Sequence, residues 1–268
     1  MNGRTREGFY VLWTIAILVC LAMSIFVLLY TSFTHNIQTA AAPQAVPAND
    51  VQPQPQDDEA PEEASPPQTV SQATGSIDDV VFLGDSVIYS LLSNGSLPKP
   101  QVWTSADGTL SLVTLSVASV DYYAPDTPDS AQSMTVANAL AWRQPAYLVV
   151  ALGKDGLNML SEASFKGQYA ALISTIRANS PNTVILCQSI LPVIDALASD
   201  SVGNASINEA NDWIRAVAEE NGLRYLNTHD ALIDGTGNLS TAYADADGVH
   251  LNSAGCSALL DYVQANAF

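Results

Sequence analysis

Two short segments of this sequence hold side chains that could together do chemistry. Ser86 offers a hydroxyl, and His250 offers an imidazole with Asp247 three residues before it. A serine becomes a nucleophile only when a base takes its proton, and the base needs an acceptor that orients it. The spacing of Asp247 and His250 lets these two side chains approach each other within one turn. The residue types therefore predict a nucleophile, a base and an orienting carboxylate.

The elements that must position these residues are read from the apolar pattern of residues 76–268. Predicted strands are Asp79–Gly84, Gln101–Ser105, Leu110–Ser116, Ala146–Leu152, Thr183–Ser189 and Arg224–Leu226. Predicted helices are Ser86–Leu92, Ala131–Arg143, Phe165–Asn179, Asn204–Asn221 and Ser253–Ala265. Buried strands that alternate with helices indicate a parallel sheet covered on both faces.

Ligands of such sheets bind beyond the carboxyl ends of the strands. Ser86 follows the first predicted strand, and the segment Gly153-Lys154-Asp155-Gly156 follows the strand Ala146–Leu152. His250 precedes the last helix. We therefore expect these three segments to meet at one edge of the sheet.

Together these segments resemble the SGNH hydrolases, also called GDSL-like lipases and acylhydrolases, over about residues 78–266. The Gly-Asp-Ser that ends at Ser86 is similar to their first block, and the Asp-Gly-Val-His-Leu that contains His250 is similar to their last block. The resemblance implies a three-layer α/β/α, flavodoxin-like fold with a mainly parallel five-stranded sheet. It also implies ester hydrolysis by Ser86, His250 and Asp247, without a cofactor or a metal.

The resemblance further implies an oxyanion hole formed at Ser86, Gly108 and position 155. Members of the family carry an asparagine amide at the third place, whereas this chain has Asp155. An ionised carboxylate cannot donate, and one lost donor costs about 3–4 kcal/mol of transition-state stabilisation. Repulsion of an oxyanion about 4 Å away adds up to roughly 4 kcal/mol at an effective dielectric near 20. Either a protonated Asp155 or the amide of Asn158 could supply the missing donor.

The other candidate groups are interpreted as structural and not as catalytic. His229 also follows a strand, but it lacks the downstream glycine and helix of the motif, so it is interpreted as a loop or capping residue. Lys154 is interpreted as a solvated loop charge. The acidic loop 245–247 has too few ligands for calcium. Cys187 and Cys256 either pair in an oxidising compartment or lie buried as small apolar groups.

Two functions from different classes remain open at this stage. The first is an extracytoplasmic serine esterase that cleaves acetyl or longer O-acyl esters of carbohydrate or lipid. The second is a binding module that kept the fold and lost its chemistry, for which Asp155 is the favouring feature. A flavodoxin-like sensor ranks last because no glycine-rich loop follows the first strand.

The N-terminal region predicts a membrane anchor. Residues 9–30 form an uncharged apolar run long enough to cross a bilayer. Arg4 and Arg6 precede this run and the next basic residue is Lys99, so residues 1–8 are expected in the cytoplasm and everything after residue 30 outside. The alternative is a cleaved signal peptide, whose apolar region spans only about 7–15 residues.

Residues 31–75 predict a disordered tether between the anchor and a folded domain at 76–268. This stretch is rich in proline, alanine, glutamine and acidic residues and has too little apolar surface to fold. The whole chain carries a formal net charge of −18. Such a charge repels nucleic acid, so nucleic-acid binding is not expected.

Overall fold

A computed structural model of the protein describes residues 75–198 and 202–268. The predicted anchor at 9–30 and the predicted tether, apart from Gly75, lie outside these ranges. Within the described ranges, no helix is both long and apolar enough to cross a bilayer.

A five-stranded parallel sheet forms the centre of the domain. Its strands are β1 (Val80–Gly84), β2 (Val102–Trp103), β5 (Tyr147–Ala151), β6 (Val184–Gln188) and β7 (Arg224–Leu226). The strand order is β2-β1-β5-β6-β7, and all four neighbouring pairs are parallel. Every residue of β1 is buried, as expected for a strand covered on both faces. The sequence-based prediction of a mainly parallel α/β sheet is confirmed.

Six α-helices accompany the sheet in the described ranges. They are α1 (Ser86–Ser93), α2 (Val136–Arg143), α3 (Glu162–Asn179), α4 (Asn204–Glu220), α5 (Thr228–Leu232) and α6 (Ser253–Asn266). Side-chain oxygens of Thr135, Ser161 and Asn252 cap the first turns of α2, α3 and α6, where backbone N–H groups have no helical partner. Longer apolar side chains of α3 and α4 lie in the core, among them Phe165, Ile173 and Ile214.

An antiparallel hairpin lies outside the main sheet, and two predictions in and before it are corrected. It consists of β3 (Ser119–Ala124) and β4 (Thr127–Thr135). The helix predicted over Ala131–Arg143 therefore begins only at Val136. The strand predicted at Leu110–Ser116 is instead a series of turns, because Thr114 and its neighbours bond within the segment. Strand β4 is polar and almost wholly exposed, so no apolar alternation marks it in the sequence.

The two cysteines of the domain, Cys187 in β6 and Cys256 in α6, are both buried and free. No disulfide joins them. Burial raises the pKa of the Cys187 thiol to about 12, so this thiol is an inert apolar group at neutral pH.

Candidate active site

Ser86 is the first residue of α1, and only Asp85 separates it from β1. Asp85 caps this helix, since its side chain accepts a hydrogen bond from the N–H of Val87 at 3.3 Å. A Cβ at Gly84 would lie 2.3 Å from the Cβ of Ile88, so only glycine lets the strand turn this tightly into the helix. The turn thus brings the Ser86 hydroxyl to the carboxyl end of the sheet.

The loop before α6 holds Asp247 and His250 together. Asp247 Oδ2 lies 2.6 Å from His250 Nδ1. Its Oδ1 accepts hydrogen bonds from the N–H groups of Val249 and His250 at 2.9 and 3.0 Å. The contact expected from the spacing is present, and it fixes the imidazole through one nitrogen.

These bonds also set the charge of Asp247. Partial burial would raise its pKa, but the hydrogen bonds from the His250 ring and from the N–H groups of His250 and Val249 lower the pKa to about 2. The carboxylate is therefore ionised at any pH at which the protein would work. A neutral His250 that donates from Nδ1 keeps the lone pair of Nε2 for a proton.

Ser86 and His250 line one cleft of about 640 Å³. Within it, the Ser86 hydroxyl donates to Asp155 Oδ1 at 3.1 Å, and the Ser86 N–H donates to Asp155 Oδ2 at 3.2 Å. In the described part of the chain no hydrogen bond joins Ser86 to His250. The structure therefore brings Ser86 and His250 into one cleft but gives the Ser86 hydroxyl a different partner.

A second carboxyl group lies behind this contact. Asp85 Oδ2 accepts a hydrogen bond from the Lys154 N–H at 3.2 Å. Burial, and then the negative charge of Asp155, raise the pKa of Asp85 to about 7, against the lowering effect of the Lys154 charge and of N–H donors. Lys154 is only 4% exposed, which corrects its interpretation as a solvated loop charge.

Gly108 does not behave as expected of an oxyanion-hole donor. Its N–H donates to the Ser105 carbonyl at 2.8 Å within a turn. Gly108 is also not one of the residues that line the cleft, whereas Thr109 and Ser111 are. Asn158, the other amide considered from the sequence, lines the cleft and is exposed.

His229 is separated from this chemistry. It is buried at the start of α5, and its Nδ1 lies 3.1 Å from Asp230 Oδ1. It does not line the cleft, so His250 is the histidine that shares a cleft with Ser86. Among the described residues, no group of three or more His, Cys, Asp or Glu side chains could hold a metal ion.

Sequence reasoning missed the apolar part of the site. Val113, Met159 and Leu197 line the cleft although they are 40%, 74% and 52% exposed. They follow three different strands, and nothing in their local sequence distinguishes them from core residues.

The fold and the site define an α/β protein with a serine at the end of its first strand and a histidine before its last helix. A family model of the GDSL-like Lipase/Acylhydrolase family matches residues 82–258, which is more than half of the chain. The chain belongs to this family. No curated protein matches the sequence.

Solved structures of low sequence identity share the fold. A candidate platelet activating factor from Streptococcus pneumonia is 18% identical, with a TM-score of 0.51, over 75% of this chain and 86% of that chain. A DUF4886 family protein from Bacteroides uniformis is 15% identical, with a TM-score of 0.51, over 70% of this chain and 83% of that chain.

Proposed function

We propose that the protein is a serine ester hydrolase that uses Ser86 as nucleophile, His250 as general base and acid, and Asp247 as the orienting carboxylate. The observation that carries this proposal is the Asp247–His250 contact of 2.6 Å in the cleft that Ser86 also lines. Membership of the GDSL-like lipase/acylhydrolase family supports ester hydrolysis as the class of reaction.

The reaction needs one movement before chemistry. The Ser86 hydroxyl leaves Asp155 and donates to His250 Nε2. The oxygen then attacks the ester carbonyl carbon while its proton passes to the imidazole, and the carbonyl oxygen becomes an oxyanion. The imidazolium returns the proton to the leaving alcohol, which leaves an acyl group on Ser86. Water, deprotonated by the same imidazole, releases the acid and restores the serine.

An ionised Asp155 opposes these reaction steps. Its carboxylate holds both the hydroxyl that must attack and the N–H that would donate to the oxyanion. Removing the charge frees both groups, and a protonated or amide side chain at this position can itself donate to the oxyanion. We therefore expect a slow enzyme at neutral pH, with activity that rises toward acidic pH.

The proposed substrate class rests on the expected location of the domain. With residues 9–30 as an anchor and 31–75 as a tether, the domain would act outside the membrane on O-acyl esters of carbohydrate or lipid. Protease added to intact cells should then digest the domain, and fractionation should leave the chain with the membranes. Recovery in the soluble cell fraction would contradict the location but not the chemistry.

A second candidate function is a binding module without turnover, and the Asp155–Ser86 contact favours it. Labelling of Ser86 by a fluorophosphonate separates the two functions, with Ser86→Ala as the control. We expect labelling at pH 5 and 7, together with ester hydrolysis that Ser86→Ala abolishes. Absence of both labelling and hydrolysis at both pH values would favour the binding module.

A further inference from the structure

Three exposed apolar side chains line the cleft. Val113 comes from the loop after β2, Met159 from the turn after β5 and Leu197 from the segment after β6. Scattered exposed apolar residues are ordinary, but a contiguous group at a binding site indicates an apolar ligand. Val202 and Val249 add apolar lining to the same cleft.

A second cavity of about 510 Å³ adjoins the first, and Val113 lines both. Its walls are the loop 112–116, the start of α2 and the outer side of α3, and its apolar lining includes Leu112, Leu115, Val136 and Leu172. No charged side chain lines it, so it offers no ionic partner for a phosphate, and its polar lining consists of four uncharged side chains, Ser116, Thr135, Gln168 and Thr175.

The wall between the cavities is a short, locally bonded loop. The Ser111 and Thr114 hydroxyls are 3.2 Å apart, and the Val117 N–H donates to the Thr114 carbonyl at 3.0 Å. Val113 Cγ2 lies 3.0 Å from where a Cβ of Gly156 would stand. Since Gly156 follows Asp155, which contacts Ser86, Val113 lies between Ser86 and the second cavity.

We propose that the second cavity holds the far end of the acyl chain of the substrate, so that the enzyme cleaves esters of unbranched medium-length fatty acids in preference to acetyl esters. This proposal rests on the proposed function and deepens it. The acyl carbonyl lies at Ser86, and the chain passes Val113 into the cavity beside α3. Each fully buried methylene favours binding by about fourfold, so several buried methylenes produce a strong chain-length preference.

The test compares the hydrolysis of p-nitrophenyl acetate and p-nitrophenyl decanoate by the full-length protein, below the concentration at which the decanoate aggregates. Ala171→Trp fills the second cavity from the exposed side of α3, where Ala171 lines it. Ala163→Trp is the matched control, because Ala163 is exposed on the same helix and lines neither cavity. Val113→Trp is a further test variant, which narrows the space between Ser86 and the second cavity. Thermal unfolding midpoints establish that all three variants fold.

We expect the wild type to show at least tenfold higher kcat/KM for decanoate than for acetate. Ala171→Trp and Val113→Trp should each lower this ratio at least tenfold, and Ala163→Trp should leave it within twofold. Ser86-dependent hydrolysis that favours acetate, or an unchanged ratio in Ala171→Trp, would overturn the acyl-chain site and leave the esterase proposal standing. Absence of any hydrolysis that Ser86→Ala removes would overturn the proposed function itself.

Discussion

Two aspartates contact the two catalytic candidates of this protein, and they act in opposite directions. Asp247 binds His250 through the ring nitrogen that does not need to accept a proton, and its second oxygen is held by two backbone N–H groups. Asp155 binds Ser86 through both the hydroxyl and the N–H that catalysis would need. In the proposed mechanism, the same type of side chain therefore orients the general base, His250, in one region and restrains the nucleophile, Ser86, in the other.

The surroundings of the two carboxylates explain the difference. Asp247 has a pKa near 2 and a half-exposed side chain in a loop of donors. Asp155 stands next to a second carboxyl group, Asp85, whose pKa is raised to about 7 by burial and then by Asp155 itself. One region stabilises a single carboxylate, whereas the other places two carboxyl groups side by side where an oxyanion would form during acyl transfer.

The largest expected effect concerns the prepared base. Changing His250→Gln should lower kcat/KM for a reactive ester by roughly 10³-fold or more, because Ser86 then has no general base. His229→Gln is the control, since this histidine lies outside the cleft. A loss of less than tenfold in the first variant, with a folded protein by circular dichroism, would mean that another group activates Ser86.

A smaller effect is expected on stability from the crowded region. Because the folded pKa of Asp85 lies above its unfolded value of 3.8, its contribution to stability is complete below about pH 4 and is lost as pH rises through 7. The loss has this direction because burial disfavours the charged carboxylate in the folded state. In Asp85→Asn the free energy of unfolding should therefore change less between pH 5 and 8 than in the wild type, as measured by urea denaturation. Equal changes in the two proteins would show that folding does not raise the pKa of Asp85.

The smallest expected effect is that of Asp247 on stability. Its folded pKa is lowered, so its contribution is present above about pH 4 and is lost as pH falls through 2. Solvent screening of this half-exposed group limits the contribution to under about 1 kcal/mol. Asp247→Asn should therefore flatten the acid limb of the stability curve only slightly below pH 4. A destabilisation by several kcal/mol at pH 7 would mean that the loop depends on this carboxylate for its fold.

The contrast between the two regions also shows what the sequence allows. The Asp247–His250 contact could be predicted because the two residues are three positions apart, and the strands β1, β5 and β6 because they are apolar runs. The Ser86–Asp155 contact joins residues 69 positions apart. The strand pattern predicts only that their two segments meet at one edge of the sheet, and the family resemblance alone directs attention to position 155. The hairpin β3–β4 and the burial of Lys154 depend on tertiary packing that no local pattern records.

The central claim is that Asp155 restrains a competent nucleophile. The most direct measurement is kcat/KM for p-nitrophenyl acetate at pH 7 in wild type, Asp155→Asn and Asp245→Asn. In each case the rate of the matching protein that also carries Ser86→Ala is subtracted. Asp245 is an exposed aspartate on the His250 loop and does not contact Ser86, so its variant removes the same charge without that contact. Asp155→Asn should gain about 10²-fold, the size of one oxyanion-hole donor, and Asp245→Asn should stay within twofold of wild type. Equal or lower activity of Asp155→Asn would contradict the account.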